Sequence, residues 1–219
     1  MKDKRKSLKK LYDLLNNYFG DLGWWPAETD FEVIIGAILT QNTSWTNVEK
    51  AIFRLKQKGL LRPSRLAEAD LASLARAIRP AGYFRVKARR LRDMGRFVMS
   101  ECGGRLARLK KLGVPELREK LLAVKGVGPE TADSILVYAM QKPVFVVDAY
   151  TKRIFERHGL IDGRVSYDEV QKMVHKGLPM KTGELNQFHA LLVETGKRFC
   201  RKKAPLCEEC PLKVLLKQV

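Results

Sequence analysis

The chain has 219 residues, 45% of them hydrophobic, enough for a proper core in one domain or two small ones. Lys and Arg number 42 against 24 Asp and Glu, and the net charge of +18 points to a polyanion, with nucleic acid ahead of an anionic membrane. No apolar run approaches the roughly 20 residues of a membrane span, and the basic residues 1–6 lack the apolar stretch of a secretory signal.

Apolar residues recur at helical spacing over residues 7–19 (Leu8, Leu11, Tyr12, Leu14, Leu15, Tyr18, Phe19), and Gly20 and Gly23 end that helix. Trp24, Trp25 and Pro26 follow in a loop. Thr29 or Asp30 can cap a helix with an apolar face from Phe31 to Leu39. A polar stop, Thr40-Gln41-Asn42-Thr43-Ser44-Trp45, precedes a helix over 48–55 with Ile52 and Phe53 facing inward. A helix over 66–78, with Asp70 near its start, is broken by Gly82, Tyr83 and Phe84. Residues 87–99 predict a strongly basic amphipathic helix. Further helices are expected over 115–122, 131–140, 148–158, 167–177 and 185–200. The one β-like run, Val144 to Val147, is too short to build a sheet. The chain therefore reads as all-α with about ten helices, without repeats or low-complexity linkers.

Residues 121–133 (Leu-Leu-Ala-Val-Lys-Gly-Val-Gly-Pro-Glu-Thr-Ala-Asp) read as helix, tight turn, helix. Gly126 and Gly128 permit backbone conformations that a Cβ blocks. Pro129 suits a first helical position, and Glu130 and Asp133 suit the positive end of the helix dipole. Such a turn offers backbone N–H groups to phosphate oxygens; it also suits an ordinary αα-hairpin packed on its glycines. Downstream, Val144-Phe145-Val146-Val147 ends in Asp148, which can cap the helix that follows.

Hairpin, helix and V-V-D at this spacing resemble the endonuclease III superfamily of helix-hairpin-helix DNA glycosylases, over nearly the whole chain. The resemblance implies an all-α, two-domain helix-hairpin-helix fold. Residues 30–141 would form a six-helix domain holding the hairpin, and residues 1–29 and 142–219 a second domain, with a DNA cleft between them. It implies DNA-backbone contacts from Lys125, Gly126, Val127, Gly128 and Thr131. Asp148 becomes the catalytic carboxylate, and Gln41 the residue that fills the hole left by a flipped nucleotide. In members that also nick the strand, a lysine stands where this chain has Glu130 and attacks C1′ as an amine. A carboxylate cannot form an imine, so a monofunctional enzyme is expected, with Lys125 a phosphate contact rather than a substitute amine.

All three tryptophans fall within 22 residues, beside breaks in the helical pattern. Core packing is the ordinary use of Trp. Together with Glu130, however, the set resembles the 3-methyladenine glycosylases of the superfamily. That branch implies that Trp25 and Trp45 sandwich the base while Trp24 and Pro26 shape the wall. N-alkylated purines are cationic, and an indole face attracts a cation by roughly 0.5–2 kcal/mol. The implied partner is double-stranded DNA with damaged bases, bound by a monomer in the cytoplasm, at the nucleoid when on DNA. The alternatives are a bifunctional glycosylase/AP lyase, a mismatch or oxidised-base glycosylase, and a non-catalytic helix-hairpin-helix DNA-binding protein.

Four cysteines are too few for a disulfide scaffold, which fits a reducing compartment. Cys200, Cys207 and Cys210 resemble the first three ligands of the family's [4Fe–4S] loop, but Leu216 stands where the fourth cysteine belongs. Three readings stay open: a cluster with an outside ligand, a Zn²⁺ held by three thiolates and another group, or a relic loop without metal. His158, His175 and His189 are scattered singly and read as structural or surface residues.

Overall fold

The computed structural model describes residues 2–178 and 181–216 and divides into two compact units, Met1–Trp24 with Pro143–Val219, and Trp25–Lys142. Among the described residues all regular structure is helical, in twelve α-helices with short 3₁₀ and π segments. The boundary expected at residue 30 lies between Trp24 and Trp25, and Lys142 stays with the middle unit.

The first unit opens with α1 (Lys2–Phe19), and the chain then enters the middle unit. There α2 (Asp30–Leu39) is capped by Thr29, whose hydroxyl accepts from the Glu32 N–H at 3.1 Å. Every residue from Phe31 to Leu39 is buried, so α2 is the core helix of this unit. Around it lie α3 (Trp45–Gln57), α4 (Pro63–Glu68), α5 (Leu71–Ala77) and α6 (Phe84–Cys102). The helix expected over 66–78 is in fact two. The Asp70 carboxylate accepts from the Ser73 N–H at 2.7 Å, so it starts a new helix and the chain breaks at Ala69. Phe53, expected inside, is 60% exposed because the buried stripe of α3 runs through Val48, Ala51, Ile52 and Leu55, to one side of it.

A short α7 (Leu106–Leu109) leads to α8 (Val114–Leu122) and α9 (Pro129–Ser134). The second hairpin helix does not continue as regular α-helix to residue 140. It widens into a π-helical segment, Ile135–Ala139, the kind of irregularity that re-aims side chains.

Back in the first unit, residues 144–147 are extended and buried but belong to no sheet. Side chains of α11 (Tyr167–Gly177) supply the missing partners. The Phe145 N–H donates to His175 Nε2 at 3.2 Å, Gln171 Nε2 donates to the Phe145 carbonyl at 2.7 Å, and the Val147 N–H donates to the Tyr167 hydroxyl at 3.3 Å. Buried backbone groups must be paired, and here a helix does the work of a neighbouring strand. The run delivers the chain to α10 (Ala149–Arg157), and α12 (Thr182–Arg198) completes the unit. Phe145, Phe155, Phe188 and the α1 leucines form its core.

Candidate active site and DNA interface

Asp148 ends the buried extended run and caps α10, Oδ1 accepting from the Thr151 N–H at 2.7 Å. Its Oδ2 faces His189 Nε2 at 3.5 Å, and both side chains are buried. Local packing explains the meeting. On α12, Gly196 follows His189 by seven residues, two helical turns, and so shares its face. A Cβ at Gly196 would stand 2.2 Å from Tyr150 Cδ1, so the bare glycine is what lets α10 lie close to α12. Burial alone would raise the Asp148 pKa. Its interactions with His189 and Thr151 outweigh that and hold it below the usual carboxylate value. A desolvated, ionised carboxylate at a helix N-terminus can stabilise positive charge developing on a sugar or accept a proton from water. His189 is the partner that sequence reasoning missed. It sits 41 residues beyond Asp148, and no local pattern marks it.

In the middle unit the hairpin turn lies between α8 and α9. Gly126 has φ +87°, and a Cβ there would also come within 2.3 Å of Arg90 Nε, so both backbone and neighbour require glycine. Across the hairpin, Arg118 grips the fully buried Asp133 with two bonds, Nε to Oδ1 at 2.8 Å and Nη2 to Oδ2 at 3.1 Å. Lys125, Gly128 and Glu130 are exposed. Val127 and Thr131, expected on DNA, are buried, and the Val127 N–H donates to the Val124 carbonyl at 3.0 Å. Neither presents its side chain on the surface, so any part they play at a phosphate runs through backbone groups or the shape of the turn.

Gln41 is tied into this hairpin. Its Nε2 donates to the Gly126 carbonyl at 3.1 Å and to Thr131 Oγ1 at 2.9 Å, and its Oε1 accepts from Arg90 Nη1. To enter a duplex it would exchange these bonds. The loop bearing it is anchored by Lys87, which is 1% exposed. Lys87 Nζ donates to the carbonyls of Leu39 and Ala81, both at 2.8 Å, and to Thr43 Oγ1 at 2.7 Å. Burial first, then nearby Arg90, lowers its pKa to about 8. The sequence marked this helix only as strongly basic and amphipathic, without singling out its one lysine. A finer signal was present, because Lys87 falls in register with buried Leu91, Met94 and Val98. At the surface of the same region, Asn42 and Tyr83 adopt left-handed backbone (φ +53° and +44°), and Tyr83 is 72% exposed.

The tryptophans separate. Trp24 belongs to the first unit, where Asn186 Nδ2 donates to its carbonyl at 2.9 Å and Lys197 Nζ lies 5.0 Å above its ring. Trp25 and Trp45 do meet in the middle unit, with centroids 4.9 Å apart, but edge to face at 89°. Facing rings with a base between them would need about 7 Å, two stacking contacts of about 3.5 Å each. In this arrangement the two indoles cannot sandwich a base between them. The reason is packing: Trp25 lies over Gly36 of α2 and against Tyr138 of the π segment, 5.1 Å away. Trp45 Nε1 donates to Glu49 at 2.9 Å, and Pro26 is exposed.

Residues 35–180 match the family model of the HhH-GPD superfamily base excision DNA repair proteins. The chain belongs to that superfamily. A Methanocaldococcus jannaschii protein named as a DNA repair glycosylase is 47% identical over 96% of each chain. Endonuclease III of Thermotoga maritima is 36% identical over 85% of this chain and 82% of its own. Among solved structures, a non-covalent endonuclease III–DNA complex superposes with TM-score 0.83 at 24% identity, covering 97% of this chain and 95% of that one. The H. pylori 3-methyladenine DNA glycosylase MagIII bound to 1,N6-ethenoadenine gives TM-score 0.74 at 32% identity, over 90% and 97%. The chain is thus a base-excision-repair DNA glycosylase with endonuclease III-like architecture, and DNA is its partner. No described helix is long and apolar enough to cross a membrane.

Within this family fold the three-cysteine loop begins where α12 ends. Arg153 Nε donates to the Cys200 carbonyl at 2.7 Å, and Arg157 Nη1 donates to Cys200 Sγ at 3.2 Å and to the Arg201 carbonyl at 2.8 Å. Cys200, Cys207 and Cys210 line one small cavity, with Leu216 also in its wall. Their soft sulfur donors fit a thiophilic metal. Bound there, a metal would neutralise thiolates and clip the loop to the end of α12.

Proposed function

We propose that this glycosylase releases N-alkylated purines, 3-methyladenine foremost, by direct hydrolysis and without cutting the strand. The observation that carries the reading is the buried, ionised carboxylate of Asp148, paired with His189, in a chain with Glu130 at the position where strand-nicking members have a lysine.

An alkylated purine already carries positive charge and departs as a neutral base, so a strong general acid is unnecessary. As the C1′–N bond lengthens, the sugar gains positive charge, and Asp148 stabilises it. Water adds to C1′, and its proton passes to the carboxylate or to solvent. Trp25, with Trp45 and Tyr138 behind it, offers an aromatic face to the extruded base. Lys125 and the Gly126–Gly128 turn hold the backbone, and Gln41 takes the vacated place in the stack. The ethenoadenine-bound MagIII structure, 32% identical to this chain, supports an alkyl-purine substrate.

The test is chromatography of bases freed from methylated DNA, with wild type and Asp148→Asn side by side. Release of 3-methyladenine by wild type alone is expected. If only uracil, mismatched or oxidised bases are released, the substrate assignment falls. A protein–DNA adduct trapped by borohydride would overturn the monofunctional mechanism.

A further inference from the structure

The cavity at the cysteine loop has a fourth donor that the sequence pattern hid. His158, the residue just after α10, lines it together with Cys200, Cys207 and Cys210. Its Nδ1 is buried and has no hydrogen-bond partner, a costly state for an imidazole nitrogen. The same ring contacts the backbone of Leu215. A backbone tie of that kind is how proteins orient a ligating histidine.

We propose that His158 Nδ1 replaces the absent cysteine at position 216, completing a Cys₃His centre with Cys200, Cys207 and Cys210 that holds a single tetrahedral ion such as Zn²⁺.

The donor set matches a structural zinc site, three thiolates and one imidazole. Size argues the same way. The cavity measures about 20 Å³, room for one or two water-sized bodies and so for a single ion. Leu216 lies in its wall, so the residue at the family's fourth-ligand position contributes an apolar lid rather than a donor. Arg157 Nη1 donates to Cys200 Sγ and holds that sulfur at the cavity wall. Among the described residues no three His, Cys, Asp or Glu side chains already stand at ligating distance. The ion would therefore have to draw the loop inward, and Cys207, the least buried of the three, has the most room to move. Ordering the loop on binding converts metal affinity into local stability.

The experiment uses the full chain purified without affinity-tag histidines. Zinc, iron and acid-labile sulfide are measured per chain, and zinc affinity is determined by competition with a chelating indicator. Wild type is expected to hold one zinc per chain. His158→Gln, which removes a ligand itself, should weaken zinc binding by more than the about 10- to 100-fold typical of losing an outer-shell partner, His158→Cys should restore it, and the His158→Gln/Leu216→Cys double variant should recover it by the family route. Chelator should lower the melting temperature of wild type by more than that of His158→Gln. Helical circular dichroism and DNA binding check that each variant is folded, and the cysteine rescue separates lost ligation from general damage. Less than stoichiometric zinc in wild type, unchanged affinity in His158→Gln, or four irons with sulfide would each overturn the proposal.

Discussion

A buried carboxylate is unfavourable unless something compensates its charge. Asp148 has two compensations, the Thr151 N–H and the His189 ring. Because its pKa is depressed in the folded state, its charge adds stability above the unfolded value of about 3.9, and that stability is lost as pH falls through the folded value. Base release should therefore persist down to pH values below the usual carboxylate range. In His189→Ala burial loses its main opponent and the Asp148 pKa rises, so the acid limb of the pH–activity profile should move to higher pH. Coincident limbs for the two proteins would refute this pairing. Asp148→Asn keeps a capping oxygen and should fold normally, yet lose base release by about 100-fold or more. Asp148 could be read from the chain because a cap after a buried run is a local pattern. His189 could not, since its role arises only when Gly196 lets α12 approach Tyr150.

Asp133 and Lys87 are two of the buried ions on which the elements of the middle unit depend. Removing one partner of a buried pair strands the other, at about 3–5 kcal/mol. Arg118→Met should accordingly loosen the α8–α9 hairpin, lowering the melting temperature and weakening DNA binding together. A fall in stability with DNA affinity intact would separate the hairpin from the interface. Lys87 carries a pH signature. Its folded pKa of about 8 lies below the 10.5 of a free lysine, so between these values the unfolded chain binds more protons and stability rises with pH. Lys87→Met should abolish that rise, readable in urea midpoints from pH 7.5 to 10. It should also cost about 1–3 kcal/mol by leaving the Leu39 carbonyl unpaired, while the Ala81 carbonyl keeps the Thr43 hydroxyl as donor. Helical periodicity revealed most of these elements, since burying one stripe of a helix is a local constraint. It failed where side chains override periodicity, at the Asp70 cap, the π segment bearing Tyr138, and the extended run paired by α11.

At the scale of the whole molecule the governing quantity is the net charge of +18. Each phosphate neutralised releases condensed counterions, and the logarithm of affinity falls with the logarithm of salt with a slope of about −0.9 per contact. Two sources of contact make different predictions. If the hairpin turn alone grips the backbone, through Lys125 and a few N–H groups, few counterions are released and the slope stays near −2. If the wider basic surface takes part, including Arg201, Lys202 and Lys203 on the cysteine loop, about six to ten phosphates are engaged and affinity drops about 10³- to 10⁵-fold between 50 and 200 mM salt. The surplus of 18 positive charges favours the steeper case, because little else in a catalytic fold calls for it. Fluorescence anisotropy with an undamaged duplex over that salt range measures the slope directly. Lys125→Ala should reduce it by about one unit. Removing the positive charge at Arg201, Lys202 and Lys203 together should reduce it by two to three units, leaving helical content unchanged. A shallow wild-type slope, insensitive to the loop charges, would confine DNA contact to the hairpin and leave the positive charge without a role at the duplex.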